Sequence, residues 1–225
     1  IPAIFVIFIG TIATVLNSYP GTTLKSIGAL FRILFTKQKG ISAEEVIDLM
    51  FDMSKTARAE GLLSLEAKAH EIGDPFFRKG LRLLADGTHE EVIADILEGE
   101  IYAMEKRHET NAGIFSSAGM YAPTLGVLGA VFGLIAAMAS IDDTDKMATA
   151  IAAAFIATIF GIFTGYVLWN LFAKKLRVKS QQEVAVKEMI VKGILSIAKG
   201  DPPSVIKEKL MSMLPEAAQR KISSK

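Results

Sequence analysis

The sequence predicts an all-α polytopic membrane protein: a transmembrane helical hairpin, an additional N-terminal span and a helical cytoplasmic domain. Two long runs, residues 118–140 and 148–172, contain no Asp, Glu, Lys, Arg or His. Each exceeds the ~20 residues that a helix needs to cross a bilayer core. Hydrophobic residues make up 51% of the 225-residue chain, more than an average soluble domain carries. Between the apolar runs, helix start and stop signals recur and no period-2 strand pattern survives.

The first apolar run, residues 1–19, starts without an initiator Met or a basic leader, so it reads as a span rather than a signal peptide. The true N-terminus is expected upstream. Lys25, Arg32, Lys37 and Lys39 follow this run, and Lys174, Lys175, Arg177 and Lys179 follow the third. Basic residues near span ends stay on the cytoplasmic side, so the first span runs outside to inside, the second back out and the third in. Residues 20–112 then form a cytoplasmic helical domain. Residues 113–172 form the hairpin, with an acidic outer turn at 141–147 around Asp142, Asp143 and Asp145. Residues 173–225 form a basic cytoplasmic helical tail.

Within the cytoplasmic domain, Ser42 and Glu45 have capping-box spacing and open a helix that ends near Gly61. A short helix over 64–72 stops at Gly73. Asp74 caps another, with Pro75 at its first position and Gly87 as its terminator. Thr88 and Glu91 have the spacing of a second capping box, from which Ile93, Ile96, Leu97, Ile101 and Met104 keep helical spacing toward the second span. After the third span, residues 180–199 are amphipathic, the Gly200-Asp-Pro-Pro203 element stops them, and a last helix is expected over 204–214.

Small residues in the hairpin recur at four-residue spacing: Gly129 with Gly133, and Ala153, Ala157, Gly161 and Gly165. In lipid such faces act by letting backbones approach closely. They serve either packing inside one subunit or an oligomer with tightly packed inner helices. Pro123 withholds a donor from the Gly119 carbonyl, so a kink is expected there, either structural or a moving hinge. Thr158 and Ala130 each stand ten positions from the outer turn, which sets them at equal depth, ~15 Å in by helical rise. They either line one pore at its middle, or Thr158 simply bonds its own i−4 carbonyl, Ala154.

Other chemistries lack their residues. With no cysteine the chain has no disulfide and no thiolate metal site. His70, His89 and His108 are far apart without metal-ligand spacing, and no GxSxG, Walker or paired-carboxylate site stands in the membrane portion. No metal, cofactor or enzymatic activity is therefore expected. The tail has no aromatic residue to interleave with its basic ones, which argues against nucleic acid. It suits a solvated helix near anionic lipid headgroups. Arg58 and Glu66 flank a GLLS loop, either as solvated surface charge or as a protein-binding face.

The runs YAPTLGVLGAVFGLIAAM from Tyr121 and AAFIATIFGIFTGYVLWNLFA from Ala153 resemble the paired pore-side helices of flagellar stator subunits of the MotA/PomA type. RAEGLLSLE, residues 58–66, is similar to that family's rotor-facing loop, and the resemblance covers essentially the whole chain. The family has four spans, so the first would lie upstream of Ile1. The resemblance implies a homopentamer in the bacterial cytoplasmic (inner) membrane around two copies of a MotB-type single-span partner that carries an essential Asp. Ion flow would drive torque on the rotor switch protein FliG. It further implies rotor contact by Arg58 and Glu66, conformational coupling by Pro123 and Pro203, and an ion path faced by Thr158. Ala130 stands where sodium-driven members tend to carry a Thr, so a proton is favoured over sodium as the transported ion. The alternative within the superfamily is a TolQ/ExbB-type energiser of an envelope complex, against which the extended cytoplasmic insertion argues.

Overall fold

The structure, a computed structural model, describes residues 2–36 and 40–223. Ile1 of the expected first span, Lys37 and Lys39 of its basic flank, and Ser224 and Lys225 of the tail lie outside the described residues. In chain order the helices are α1 (Pro2–Ser18), α2 (Gly21–Leu24), α3 (Ile27–Phe35), α4 (Ala43–Glu60), α5 (Leu65–Glu71), α6 (Pro75–Ala85), α7 (Glu90–Met138), α8 (Thr144–Ile162), α9 (Asn170–Ala198), α10 (Pro203–Met211) and α11 (Glu216–Ser223). A 3₁₀ turn, Leu62–Ser64, joins α4 to α5, and a π-helical segment, Phe163–Trp169, joins α8 to α9.

The chain divides into two compact units, one built from residues 2–36 and 107–179, the other from 40–106 and 180–223. In the first, α1 packs on α8, and Phe8 meets Phe160 with ring centroids 5.8 Å apart. Nearer the basic flanks, Val15, Leu30, Leu34, Ala112, Phe115, Ala118, Ala173 and Leu176 form a buried cluster. Helices α2 and α3 were not foreseen, because the basic residues at 25 and 32 read only as a flank of the first span. Of the two, α3 is amphipathic, with Leu30 and Leu34 inward and Arg32 outward.

The second unit has the water-driven core of an ordinary helical domain, with Val46, Ile47, Met50, Phe77, Leu81, Ile93, Leu97, Ile190, Ile194, Ile206 and Leu210 fully buried. Its helix ends follow the sequence signals closely. Ser42 Oγ accepts from Glu45 N at 3.2 Å and Glu45 Oε2 accepts from Ser42 N at 3.4 Å, which completes the capping box. Asp74 Oδ1 accepts from Phe77 N at 2.8 Å. Gly87, at φ +70°, ends α6, with Gly87 N bonded to Leu84 O and Thr88 N to Leu83 O, both at 3.1 Å.

Two expectations need correction. Thr88 is not a cap: α7 starts at Glu90, so His89 holds the cap position, and the Thr88 N–H is committed to the end of α6 instead. The terminal region also holds two helices rather than one. α10 stops at Met211, where Leu214 N bonds Met211 O at 3.0 Å, and Pro215 precedes α11. The pyrrolidine nitrogen cannot donate to an extended α10.

These caps give a paired prediction. Asp74→Ala should lower stability by about 1 kcal/mol, whereas Thr88→Ala should leave it within about 0.5 kcal/mol. Thermal unfolding of the two variants in detergent checks both.

Candidate functional site

The hairpin is closed by bare backbone. A Cβ added to Gly161 would stand 2.8 Å from both Ala122 O and Gly126 Cα. One added to Gly126 would stand 2.9 Å from Ala157 O and 3.0 Å from Gly161 Cα, and one on Gly133 would meet Ala154 Cβ at 3.0 Å. Gly129, Ala157, Gly161 and Gly165 are all buried. The α7 contacts come from Gly119, Gly126 and Gly133, at seven-residue spacing, which a four-residue pattern does not reveal for Gly126 and Gly119. These small residues meet inside one chain. Large apolar side chains, among them Phe132, Ile135, Phe155, Ile159 and Phe163, stay exposed on the outside of the hairpin.

These contacts set the register. Gly126 faces the stretch between Ala157 and Gly161, and Gly133 the stretch between Ala150 and Ala154. Thr158 is therefore level with about residue 127 and Ala130 with about residue 155, which puts Thr158 ~4.5 Å nearer the basic end. The expected equal depth fails because the turn is asymmetric: α7 ends at Met138 and α8 starts at Thr144. Thr158 is partly exposed and Thr158 Oγ1 donates to Ala154 O at 3.2 Å. Ala130 is partly exposed as well.

Pro123 lies inside α7, and its ring faces Gly165. A Cβ on Gly165 would stand 2.6 Å from Pro123 Cδ and 2.8 Å from Gly119 O. Gly119 O is the carbonyl that Pro123 leaves without its i+4 donor. Gly165 itself belongs to the π-helical segment, where Gly165 O accepts from Asn170 N. The two irregular stretches of the hairpin thus face each other, and the Asn170 side chain fills the space beside Gly119. Periodicity of side chains gives no sign of a π-helical insertion, so this feature was not legible in advance.

At the outer turn, Asp143 caps α8 by accepting from Lys146 N at 3.1 Å and pairs with Lys146 Nζ at 3.0 Å. The backbone and side-chain bonds from Lys146 hold its carboxyl below the ordinary 3.8.

Arg58, Glu66 and Pro203 belong to the second unit. Arg58, in the last turn of α4, and Glu66, in the first turn of α5, are exposed. Gly61 makes the bend between them at φ +85°, a conformation in which a Cβ is strained. Between the two charges Leu63 is 72% exposed. Pro203 is the first residue of α10, which packs on α4. The preceding turn is a Schellman motif: Gly200, at φ +76°, bonds Ile197 O at 2.9 Å, and Asp201 N bonds Ser196 O at 3.0 Å. Lys209 Nζ meets Asp201 Oδ2 at 2.5 Å and fastens α10 to this turn.

The Lys209 hydrogen bond, then a bond from Ser196, depress the Asp201 carboxyl below 3.8. A depressed carboxylate contributes stability that is present above the unfolded value and lost as pH falls through the folded one. The stability gap between the wild type and Asp201→Asn should therefore hold from pH 7 to 5 and close below about pH 3.8, as read by unfolding at each pH. Gly161→Ala should cost about 1–3 kcal/mol, because the obstructing atoms are backbone. Gly113→Ala meets only the Tyr19 hydroxyl, at 2.9 Å, and should cost less in the same melting assay.

Residues 68–189 match the MotA/TolQ/ExbB proton channel family. The chain is 49% identical to Motility protein A of Bacillus subtilis over 213 residues, which cover 95% of this chain and 79% of that protein. It is similar in structure to the flagellar MotAB stator complex from Bacillus subtilis, with a TM-score of 0.91 and 48% identity over 97% of this chain and 86% of the other. A second solved structure, of C. jejuni MotAB, aligns with a TM-score of 0.89 and 29% identity over 95% and 84% of the two chains.

Proposed function

The chain belongs to the MotA/TolQ/ExbB proton channel family, and from that premise we propose that it is the ion-conducting stator subunit of a flagellar motor and turns proton flow into torque. One observation carries the mechanism: the hairpin's apolar runs offer hydroxyls and backbone but no Asp, Glu, Lys, Arg or His. A charge held there must come from another chain. The partner is a MotB-type single-span protein with an Asp, two copies of which stand inside a ring of five of these subunits. The ring spans the bacterial cytoplasmic membrane several times per subunit.

In this reading a proton passes the outer turn and protonates the partner's Asp at the level of Thr158. An ionised carboxylate is costly in the membrane and a neutral one is not, so each protonation changes which subunit face the partner helix prefers. Thr158 Oγ1 now donates to Ala154 O over 3.2 Å, a long bond for a hydroxyl donor. The donor can be handed to the carboxylate at little cost. Ala130 offers a methyl group where a partly dehydrated sodium ion would need an oxygen ligand, so the transported ion is the proton. At the cytoplasmic side Arg58 and Glu66 engage the rotor protein FliG through charge pairing, while Pro123 and Pro203 couple the step to the second unit's helices.

Proton flux through the chain reconstituted with its partner should fall at least tenfold in Thr158→Val and survive in Thr158→Ser. Flux that required sodium would sink the proton assignment. Arg58→Glu should leave flux intact and abolish torque, and torque equal to wild type would remove the rotor role from Arg58.

A further inference from the structure

Helix α3 is held against the hairpin by aromatic edges. The Phe31 ring meets Phe115 at 5.4 Å and Phe172 at 5.9 Å, both edge-on, and Phe115 stacks on Trp169 at 6.2 Å. Trp169 is of the residue type enriched at the membrane–water boundary. The uncharged run ends at Phe172 and Lys174 follows, which marks the same level independently. Lys179 Nζ donates to Thr36 O at 2.7 Å and to Ile33 O, so the carbonyl end of α3 is fastened to α9.

The outward face of α3 is exposed and carries large apolar side chains beside a cation. Phe35 is 72% exposed and Ile33 43% exposed. Arg32 stands three residues before Phe35, hence on a neighbouring stretch of the same face. Lys175 Nζ lies 5.6 Å from the centre of the Phe35 ring. Arg32 and Lys175 are exposed, and among the described residues neither meets a carboxylate. Two cations without a carboxylate partner, flanking the exposed Phe35 ring and Ile33 at the cytoplasmic boundary, are complementary to a molecule with an anionic head and an apolar tail.

We propose that Arg32 and Lys175 form a binding site for the phosphate headgroup of an anionic phospholipid, whose acyl chains cover Ile33 and Phe35. The guanidinium provides a planar fork for phosphate oxygens and the ammonium a second point charge. The proposal goes beyond the stator reading and is independent of it.

Trp169 is the sole tryptophan of the chain and belongs to the cluster that seats α3, so it reports lipid at this site. The experiment is quenching of Trp169 fluorescence in the full chain reconstituted with dibrominated phosphatidylglycerol or dibrominated phosphatidylcholine. Phosphatidylglycerol should be preferred by the wild type, by about fivefold per cation engaged, and 0.5 M salt should weaken the preference. Arg32→Gln with Lys175→Gln should abolish it, and Arg32→Lys with Lys175→Arg should keep it. Equal quenching by the two lipids in the wild type would overturn the site, as would a preference that survives the double Gln variant. A Phe35→Cys variant that cross-links to a second copy of the chain in the membrane would also overturn it, since protein would then occupy the face. The wild-type salt response stands as a test even where the double variant does not fold.

Discussion

Everything in the membrane unit depends on the approach of two backbones around Gly126 and Gly161. Lipid tails are as apolar as the side chains they surround, so burial drives the association of α7 and α8 little, and dispersion between closely apposed atoms must do it. That attraction falls steeply with any gap. Bare Cα atoms on both helices remove the gap, and the contact distances of 2.8–3.0 Å for an added Cβ show that no side chain fits. The same contacts set the register and hence the level of Thr158. They also turn the bulky residues of both helices outward, where lipid or other helices meet them.

The second unit solves a different problem in a different solvent. Here water supplies the drive, and fully buried side chains such as Phe77, Leu81 and Ile190 hold the helices together. What it needs from polar residues is termination: Ser42 and Asp74 at helix starts, Gly87 and Gly200 at helix ends. The turn at Gly200 is then tied by Lys209 to the helix that begins at Pro203. Helix α10 is positioned from both ends, by its burial on α4 through Ile206 and Leu210 and by this ion pair. A movement of α10 would be felt at α4, whose last turn carries Arg58.

Much of this was legible in the sequence, because capping uses local chemistry and lipid-crossing helices need long uncharged runs. The capping box at Ser42, the Asp74-Pro75 start and the hairpin follow from such signals. The failures have physical causes. Thr88 has the right spacing for a cap, but Gly87 already commits its N–H to α6. Helix α3 is short, and its inward Leu30 and Leu34 could not be told from the flank of a span. Depth in the hairpin differs from equal counting by about three residues, because equal counting from a turn assumes a symmetric turn. Of the candidate residues, Thr158 and Pro123 could be placed on their helices in advance, whereas Gly119 and Gly126 needed the contact itself.

The level at which the hairpin is least regular bears on how it would work. Pro123 strips one donor from the α7 ladder, and the opposite π-helical segment widens the turn of the other helix. Regular α-helix resists bending because every carbonyl is engaged, so deformation concentrates where the ladder is already interrupted. Phe163, where the segment begins, is five residues past Thr158, ~7.5 Å along the helix. In the proposed mechanism a carboxylate loses its charge near Thr158, and the change in packing reaches this soft level before any other. Beyond it α9 continues without a break from Asn170 to Ala198. In the proposed mechanism a rotation begun at Gly165 would have an uninterrupted helix to travel along, and the hinge it calls for would be the paired irregularity rather than Pro123 alone.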